Sequence, residues 1–524
     1  MSKIISAEQA VTIIASNDTV AVGGFVGSMH PEELTQKLEQ HFLKTGSPRN
    51  LTLVYAAGQG DRKDRGLNHL GHEKLIKRVV GGHWALSPKI QQLALENKVE
   101  AYNFPQGVIS HMFRDIAAKK PGTITHIGLK TFVDPRVEGG KLNPKTTEDL
   151  VELIEIDGQE YLRYRAFPIN IALVRATYCD KFGNATFEKE AAYTEVLAMC
   201  QAAKNSGGKV ILQVEKVVED KTLNTQLVRL PGIYVDAIVE ASTENHMQTF
   251  GTAYNPSYSG AVKIPRDSIS PLPMDERKII ARRCVLELHS GNVTNLGIGM
   301  PEGISLVASE EGIGDQMFLT LESGPIGGVP AGGLDFGAAL NPDCIIDQPA
   351  QFDFYDGGGL DIAFLGLAQA DRKGNVNVSK FGPKIAGCGG FINISQTAKK
   401  VVYCGTFTAC GLKTSIDNGN LKILSEGNIK KFIDQVEQIT FSGEYAFRQN
   451  QPVLYVTERA VFQLSEQGLE LIEIAPGIDI SEDILKHMDF KPVISPNLKQ
   501  MDQRLFHPEK MGLSKEIYAR GTGL

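Results

Sequence analysis

Two stretches far apart in this chain spell the same local pattern, and that constrains the fold more than any other feature. LVRATYCDKFGNATF at 173–187 aligns with FLGLAQADRKGNVNV at 364–378, pairing Asp180 with Asp371, Gly183 with Gly374 and Asn184 with Asn375. Lys209-Val210-Ile211 and Lys400-Val401-Val402 keep the same offset. Earlier landmarks stay in order at a larger offset: Pro31 with Pro301, and YAAG at 55–58 with LESG at 321–324. The first half therefore holds extra residues between positions 58 and 173. A plan written twice predicts two related α/β domains fused by internal duplication.

The elements themselves fit that plan. LTLVYAAG at 51–58, KVILQVE at 209–215 and AIVEA at 237–241 are short, apolar and rich in β-branched residues. The second half supplies VTNLGIG at 293–299, FLTLESG at 318–324, KVVYCGTF at 400–407 and PVLYVTE at 452–458. Unalternating apolar strands separated by helices predict mainly parallel open sheets flanked by helices. Ser6-x-x-Gln9 spells a capping box that opens the first helix. With 524 residues the chain exceeds what one core organises. The expected division is a first domain at 1–245, a linker at 246–275 where NPSYSG and SISPLPMDE break the pattern, and a second domain at 276–524. A helix at 279–288 is expected to start the second half.

Charge narrows the partners. A formal charge of -7 with no basic run leaves no footprint for a nucleic-acid backbone. No apolar run is long enough for a bilayer, and the N-terminus lacks the unbroken apolar stretch of a secretory peptide. The seven cysteines are scattered and odd in number, which suits a reducing compartment and small buried hydrophobes. A cytoplasmic protein is expected.

The chemistry shows where the two copies differ. Ala56 in the first copy stands opposite Glu322 in the second, each at a strand end leading into a glycine turn. Such carboxyl edges are where α/β sheets build sites. Beyond Glu322 the chain runs Ser323-Gly324-Pro325-Ile326-Gly327-Gly328. A second glycine-rich segment, Gly387-Cys388-Gly389-Gly390, reads either as a set of amide donors for a phosphate or oxyanion, or as a plain turn into a strand FINI at 391–394. A third, Gly297-Ile298-Gly299-Met300-Pro301-Glu302, opens a helix that could hold an anion, but Glu302 stands where a dinucleotide fingerprint needs glycine. His69 and His72 with Glu73 read as ordinary surface residues, and His83, beside the sole tryptophan Trp84, as a structural histidine before a catalytic one. Asn103-Phe104-Pro105-Gln106-Gly107 presents an amide side chain in a turn.

Taken together these segments resemble the family I CoA-transferases, in particular the single-chain branch of acetate and propionate CoA-transferases. The resemblance rests on VAVGGFVGSMHP at 20–31, GLKTFVDPR at 128–136, LPGIYVDAIV at 230–239, ESGPIGG at 322–328, GCGGFINI at 387–394 and YVTERAVF at 455–462. It departs at Leu321 and Ser323, which flank the Glu where many relatives read S-E-N-G, and at Met29, which replaces a glycine.

That resemblance implies an enzyme that moves coenzyme A from a short-chain acyl-CoA to an acceptor carboxylate such as acetate. Glu322 would be the nucleophile, passing through a glutamyl-CoA thioester, and Gln106 a first-half group beside the thioester. The expected CoA-binding set is Gly297, Gly299, Gly389, Gly390, Asn375 and Lys400. No metal or prosthetic group is expected, since coenzyme A is itself a substrate. The partners would be acyl-CoA and short carboxylic acids, without nucleic acid or membrane, in a homo-oligomer such as a tetramer. An acyl-CoA hydrolase with the same nucleophile, or a ligand-binding regulator, are the alternatives.

Overall fold

Apolar runs buried on both faces set the architecture. In the computed structural model, which describes residues 3–220, 222–265 and 271–519, Leu51–Tyr55 is buried along its whole length, as a strand covered by helices on both sides must be. The chain packs as two compact units. One comprises Met1–Ile264, Leu321–Asp353 and Gly382–Asn393; the other comprises Pro265–Thr320, Phe354–Phe381 and Ile394–Leu524. Two segments of the second half thus pack with the first, and the first break, at Ile264, lies within the 246–275 stretch.

The first unit is built on a parallel sheet. Its order is Ala237–Glu240, Lys209–Val217, Ile171–Cys179, Thr19–Val22, Leu51–Tyr55, Ile76–Gly81 and Glu100–Asn103. The additional residues of the first half include a small antiparallel sheet of Gly122–Thr125, Gln159–Arg165 and Val151–Ile156. The capping box forms, with Gln9 N–H on the Ser6 hydroxyl and Ser6 N–H on the Gln9 side chain.

The second unit repeats the plan with a different edge. Met317–Thr320, Asn292–Leu296, Ile362–Gly366, Val401–Cys404 and Val453–Val456 run parallel in that order. Ala460–Ser465 and Gly468–Ile474 then add antiparallel, and Val493–Gln500 closes the row. The helix opening this half spans Glu276–Val285, with the Asp275 side chain accepting from Lys278 N–H.

The duplication is visible in matched hydrogen bonds. In the first unit one Asp180 oxygen accepts from the N–H groups of Phe182 and Asn184, and the other from the Asn184 amide at 2.8 Å. In the second, Asp371 takes the N–H groups of Lys373 and Asn375 and the Asn375 amide at 3.0 Å. Asn184 Oδ1 then accepts from Gly232 N–H, as Asn375 Oδ1 does from Gly443 N–H. The repeated letters encode one loop, built twice.

Three local expectations change. FINI is not a strand: Phe391–Thr397 is a helix, because the Gly387–Gly390 turn closes with Phe391 N–H on Cys388 C=O, a three-residue bond that starts a helical turn. His69 is buried, held between Glu32 (3.0 Å) and Glu39 (2.5 Å), with His72 on the other Glu39 oxygen. Burial pulls its imidazole down, but the bonds and charges of the two carboxylates outweigh this and raise it to about 9. Of the cysteines, Cys344 and Cys410 are exposed and the other five buried.

Candidate active site

The carboxyl edge of the first unit's sheet ends in two loops. The strand Ile76–Gly81 leads into Gly82-His83-Trp84, and Glu100–Asn103 into Phe104-Pro105 and the helix Gln106–Ala117. Gln106 is therefore the first residue of a helix rather than part of a free turn. The segment Ile385–Gly390 is sewn onto both loops through its backbone. Gly389 N–H donates to Gly82 C=O and Gln106 N–H to Gly389 C=O, each at 2.8 Å, while Trp84 N–H reaches Ala386 C=O at 2.7 Å. Asn103 locks the joint: its Nδ2 donates to the carbonyls of Gly81 and Gly82, and its Oδ1 accepts from Cys388 N–H at 2.9 Å. The sequence reading assigned Asn103 no role, and its position at a strand end beside a glycine loop was the available signal.

Glu322 enters this edge on a tight turn. Leu321 N–H donates to Pro325 C=O and Gly324 N–H to Leu321 C=O, while the Ser323 hydroxyl is bound to Gly337 C=O at 2.6 Å. Gly324 has φ +120, a backbone that side chains resist, and a Cβ there would strike the Ile346 carbonyl. The Glu322 carboxylate then lies against Gly390, whose Cβ, if it had one, would sit 2.7 Å from Oε2. Phe352 covers the same point, at 3.2 Å from that Cβ position.

No hydrogen bond or ion pair holds the Glu322 carboxylate among the described residues. Burial pushes it up to about 7. The Gln106 side chain is also buried, and its Nε2 has no acceptor. Gly389 has its N–H committed to Gly82, so among the two glycines Gly390 is the one whose amide remains to donate. His83, pulled down to about 4 by burial and the Arg62 charge, is neutral near pH 7, and its Nδ1 is buried without a partner. Glu322, Gln106, Gly389, Gly390 and His83 thus share one edge of one unit.

The remaining expected residues lie in the other unit. Gly297 N–H bonds to Phe364 C=O, and Gly299, at φ +86, accepts from Arg277 on its carbonyl. Asn375 is buried in the Asp371 loop. Lys400 Nζ pairs with Glu287 at 2.5 Å. Among the described residues no group of three or more His, Cys, Asp or Glu is placed to hold a metal ion. Among the same residues no helix is long and apolar enough to cross a membrane.

A carboxylate without a charge partner, on the same edge as the unpartnered Gln106 amide, has the chemistry that covalent acyl transfer through a carboxyl group requires. The family model described as Coenzyme A transferase matches residues 4–241. The acetate CoA-transferase YdiF of Escherichia coli K12 is 48% identical over 510 residues, covering 97% of this chain and 96% of that one. A caffeate CoA-transferase of Acetobacterium woodii is 46% identical across 98% of this chain and 99% of its own. A crystal structure of an acyl-CoA transferase from E. coli O157:H7, in thioester complex with CoA, superposes with a TM-score of 0.93 at 47% identity, covering 98% and 97% of the two chains. The chain belongs to the coenzyme A transferase family.

Proposed function

We propose that Glu322 is the nucleophile of a ping-pong transfer of coenzyme A from a short-chain acyl-CoA to an acceptor carboxylate such as acetate. One observation carries the reading: a half-buried, unpaired carboxylate packed on Gly390, with the unpartnered amide of Gln106 on the same edge. A carboxylate oxygen attacks the thioester carbonyl carbon, the C–S bond breaks, and a mixed anhydride and CoA thiolate result. The thiolate attacks the glutamyl carbonyl carbon and expels the first acid, leaving glutamyl-CoA. The second acid attacks that thioester and frees the thiolate, which then takes the new acyl group and restores the carboxylate.

Desolvation makes the carboxylate a stronger nucleophile than it would be in water, and the amides of Gln106 and Gly390 meet the oxyanion as charge develops. The wider CoA-binding set, Gly297, Gly299, Gly389, Asn375 and Lys400, belongs to the same proposal, although CoA at Lys400 would have to displace Glu287. We further assign a cytoplasmic homo-oligomer, with no cofactor besides the CoA substrate. Exposure to acetyl-CoA without an acceptor, followed by intact-mass and peptide analysis, tests the mechanism. CoA attached to the peptide carrying ESGPIGG supports it. Acetylation, labelling elsewhere, or steady release of CoA to water overturns it, the last in favour of a hydrolase.

A further inference from the structure

A histidine kept for packing normally satisfies at least one ring nitrogen, and the sequence reading took His83 for such a residue. The structure gives it a different setting. His83 follows the strand Ile76–Gly81, and its imidazole is slotted between two loops of the first unit, each offering a glycine. On one side, a Cβ at Gly58 would lie 2.5 Å from His83 Nδ1. On the other, a Cβ at Gly389 would lie 3.8 Å from both His83 Cδ2 and Gln106 Oε1. The ring is thus held beside the Gln106 amide, one residue along the loop from Gly390, on which Glu322 rests.

Neither ring nitrogen has a hydrogen-bond partner among the described residues. Nδ1 is enclosed against Gly58 and Cδ2 faces Gly389, so the open edge of this half-buried ring is the one carrying Nε2. In a neutral imidazole one nitrogen donates and the other accepts. An orphaned N–H is the rarer fault in a folded core, which puts the proton on Nε2 and the lone pair on the enclosed Nδ1. His83 therefore turns a neutral, unused N–H toward the open side of the edge.

The transfer reading leaves one demand unmet. The amides of Gln106 and Gly390 go to the glutamyl oxyanion, and Gly389 N–H is committed to Gly82. The acid that attacks the glutamyl thioester brings a second carboxylate oxygen, and none of these groups holds it. We propose that His83 is a catalytic residue whose Nε2–H holds that second oxygen, both in the acid that enters and in the acid that leaves the mixed anhydride. The inference rests on the transfer reading above and assigns its acid site. One carboxylate oxygen bonds to the glutamyl carbon as CoA thiolate departs, while the other stays hydrogen-bonded; the proton remains on His83 throughout. A cation in this place would pull the Glu322 carboxyl down and weaken its attack, whereas a neutral imidazole aligns the acid without that cost.

The test discharges the glutamyl-CoA adduct, prepared in each protein by prolonged exposure to acetyl-CoA and freed of acetate, with two nucleophiles. Acetate needs its second oxygen held; hydroxylamine attacks the same carbonyl as a neutral amine and has no carboxylate. Loss of CoA from the protein is followed by intact mass. His83→Met and His83→Phe, which lack the donor, should slow discharge by acetate about tenfold to a hundredfold, the scale of one lost hydrogen bond to a charged group, and leave discharge by hydroxylamine within about twofold. His83→Gln, which carries an amide donor on a side chain of similar reach, should restore most of the acetate rate. Wild-type discharge by acetate in the Met and Phe variants overturns the inference, as does equal slowing with both nucleophiles, the mark of a purely structural role. Adduct discharged without regard to His83 removes this inference alone, whereas no adduct in wild type removes the transfer reading and this one with it.

Discussion

Replacing Glu322 by glutamine should stabilise the protein, and the gain should depend on pH. Burial moves the Glu322 carboxyl from an ordinary 4.5 to about 7. That difference corresponds to about 3 kcal/mol between its protonated and ionised forms. The sign follows from proton binding. Between the unfolded and folded values the native chain holds a proton that the unfolded chain has lost, so native stability falls as pH rises through this window. Below it, glutamate and glutamine are both neutral and the two proteins should match. Above it, only wild type buries a charge. Trp84, the single tryptophan, is fully buried in the same unit and reports its unfolding by fluorescence. Urea slopes on the order of 3 kcal/mol per molar would turn the effect into a midpoint shift on the order of 1 M at about pH 8, shrinking through about pH 5 and vanishing below about pH 4. A shift of the same size at both values, or a variant less stable than wild type at the higher one, would refute the claim that this carboxylate is desolvated and unpaired.

Activity should carry the same titration in the opposite sense: kcat/KM for acyl-CoA should rise with pH to a plateau with a midpoint near 7, since the ionised carboxylate is the attacking form. A flat profile across that range would contradict it, and His83, neutral above about 4, should add no second limb. Gln106→Ala should lower kcat by about 10²-fold, the scale of one lost oxyanion donor, with KM for the CoA ester little changed, and Gln106→Glu should be worse. An unchanged kcat would leave Gly390 as the sole donor. Gly390→Ala places a methyl on the Glu322 carboxylate and should abolish adduct formation while circular dichroism stays native; normal labelling of that variant would show that the two groups do not meet.

The repeat was legible because its loop depends on side chains. Asp180 and Asp371 each bind the same backbone groups two and four residues on, and only Asp, Gly and Asn in that order complete the loop. Glu322 stood out by contrast with Ala56, and Gln106 entered through family resemblance alone. The course of 321–353 and 382–393 into the first unit could not be read, since backbone bonds such as Gly389 N–H to Gly82 C=O leave no trace in residue type. His69 looked like a surface residue because its partners Glu32 and Glu39 lie on a preceding helix, some thirty residues away, at no motif spacing. Met29, read as a replaced glycine, does occupy a left-handed backbone at φ +61, so the position keeps the glycine conformation with another side chain.

The first unit borrows two strips from beyond Ile264, and these strips hold Glu322, Gln348 and Gly390. A gene cut at the join would therefore yield two polypeptides that divide the proposed catalytic edge between them, one carrying the sheet and Gln106, the other the proposed nucleophile Glu322. Neither would be a smaller enzyme. Turnover would become an assembly property, rising with the product of the two fragment concentrations until they saturate each other, so co-expression and not the longer fragment alone would restore it. Where such a family exists both as one chain and as paired subunits, the covalent link serves to fix stoichiometry at one nucleophile per sheet.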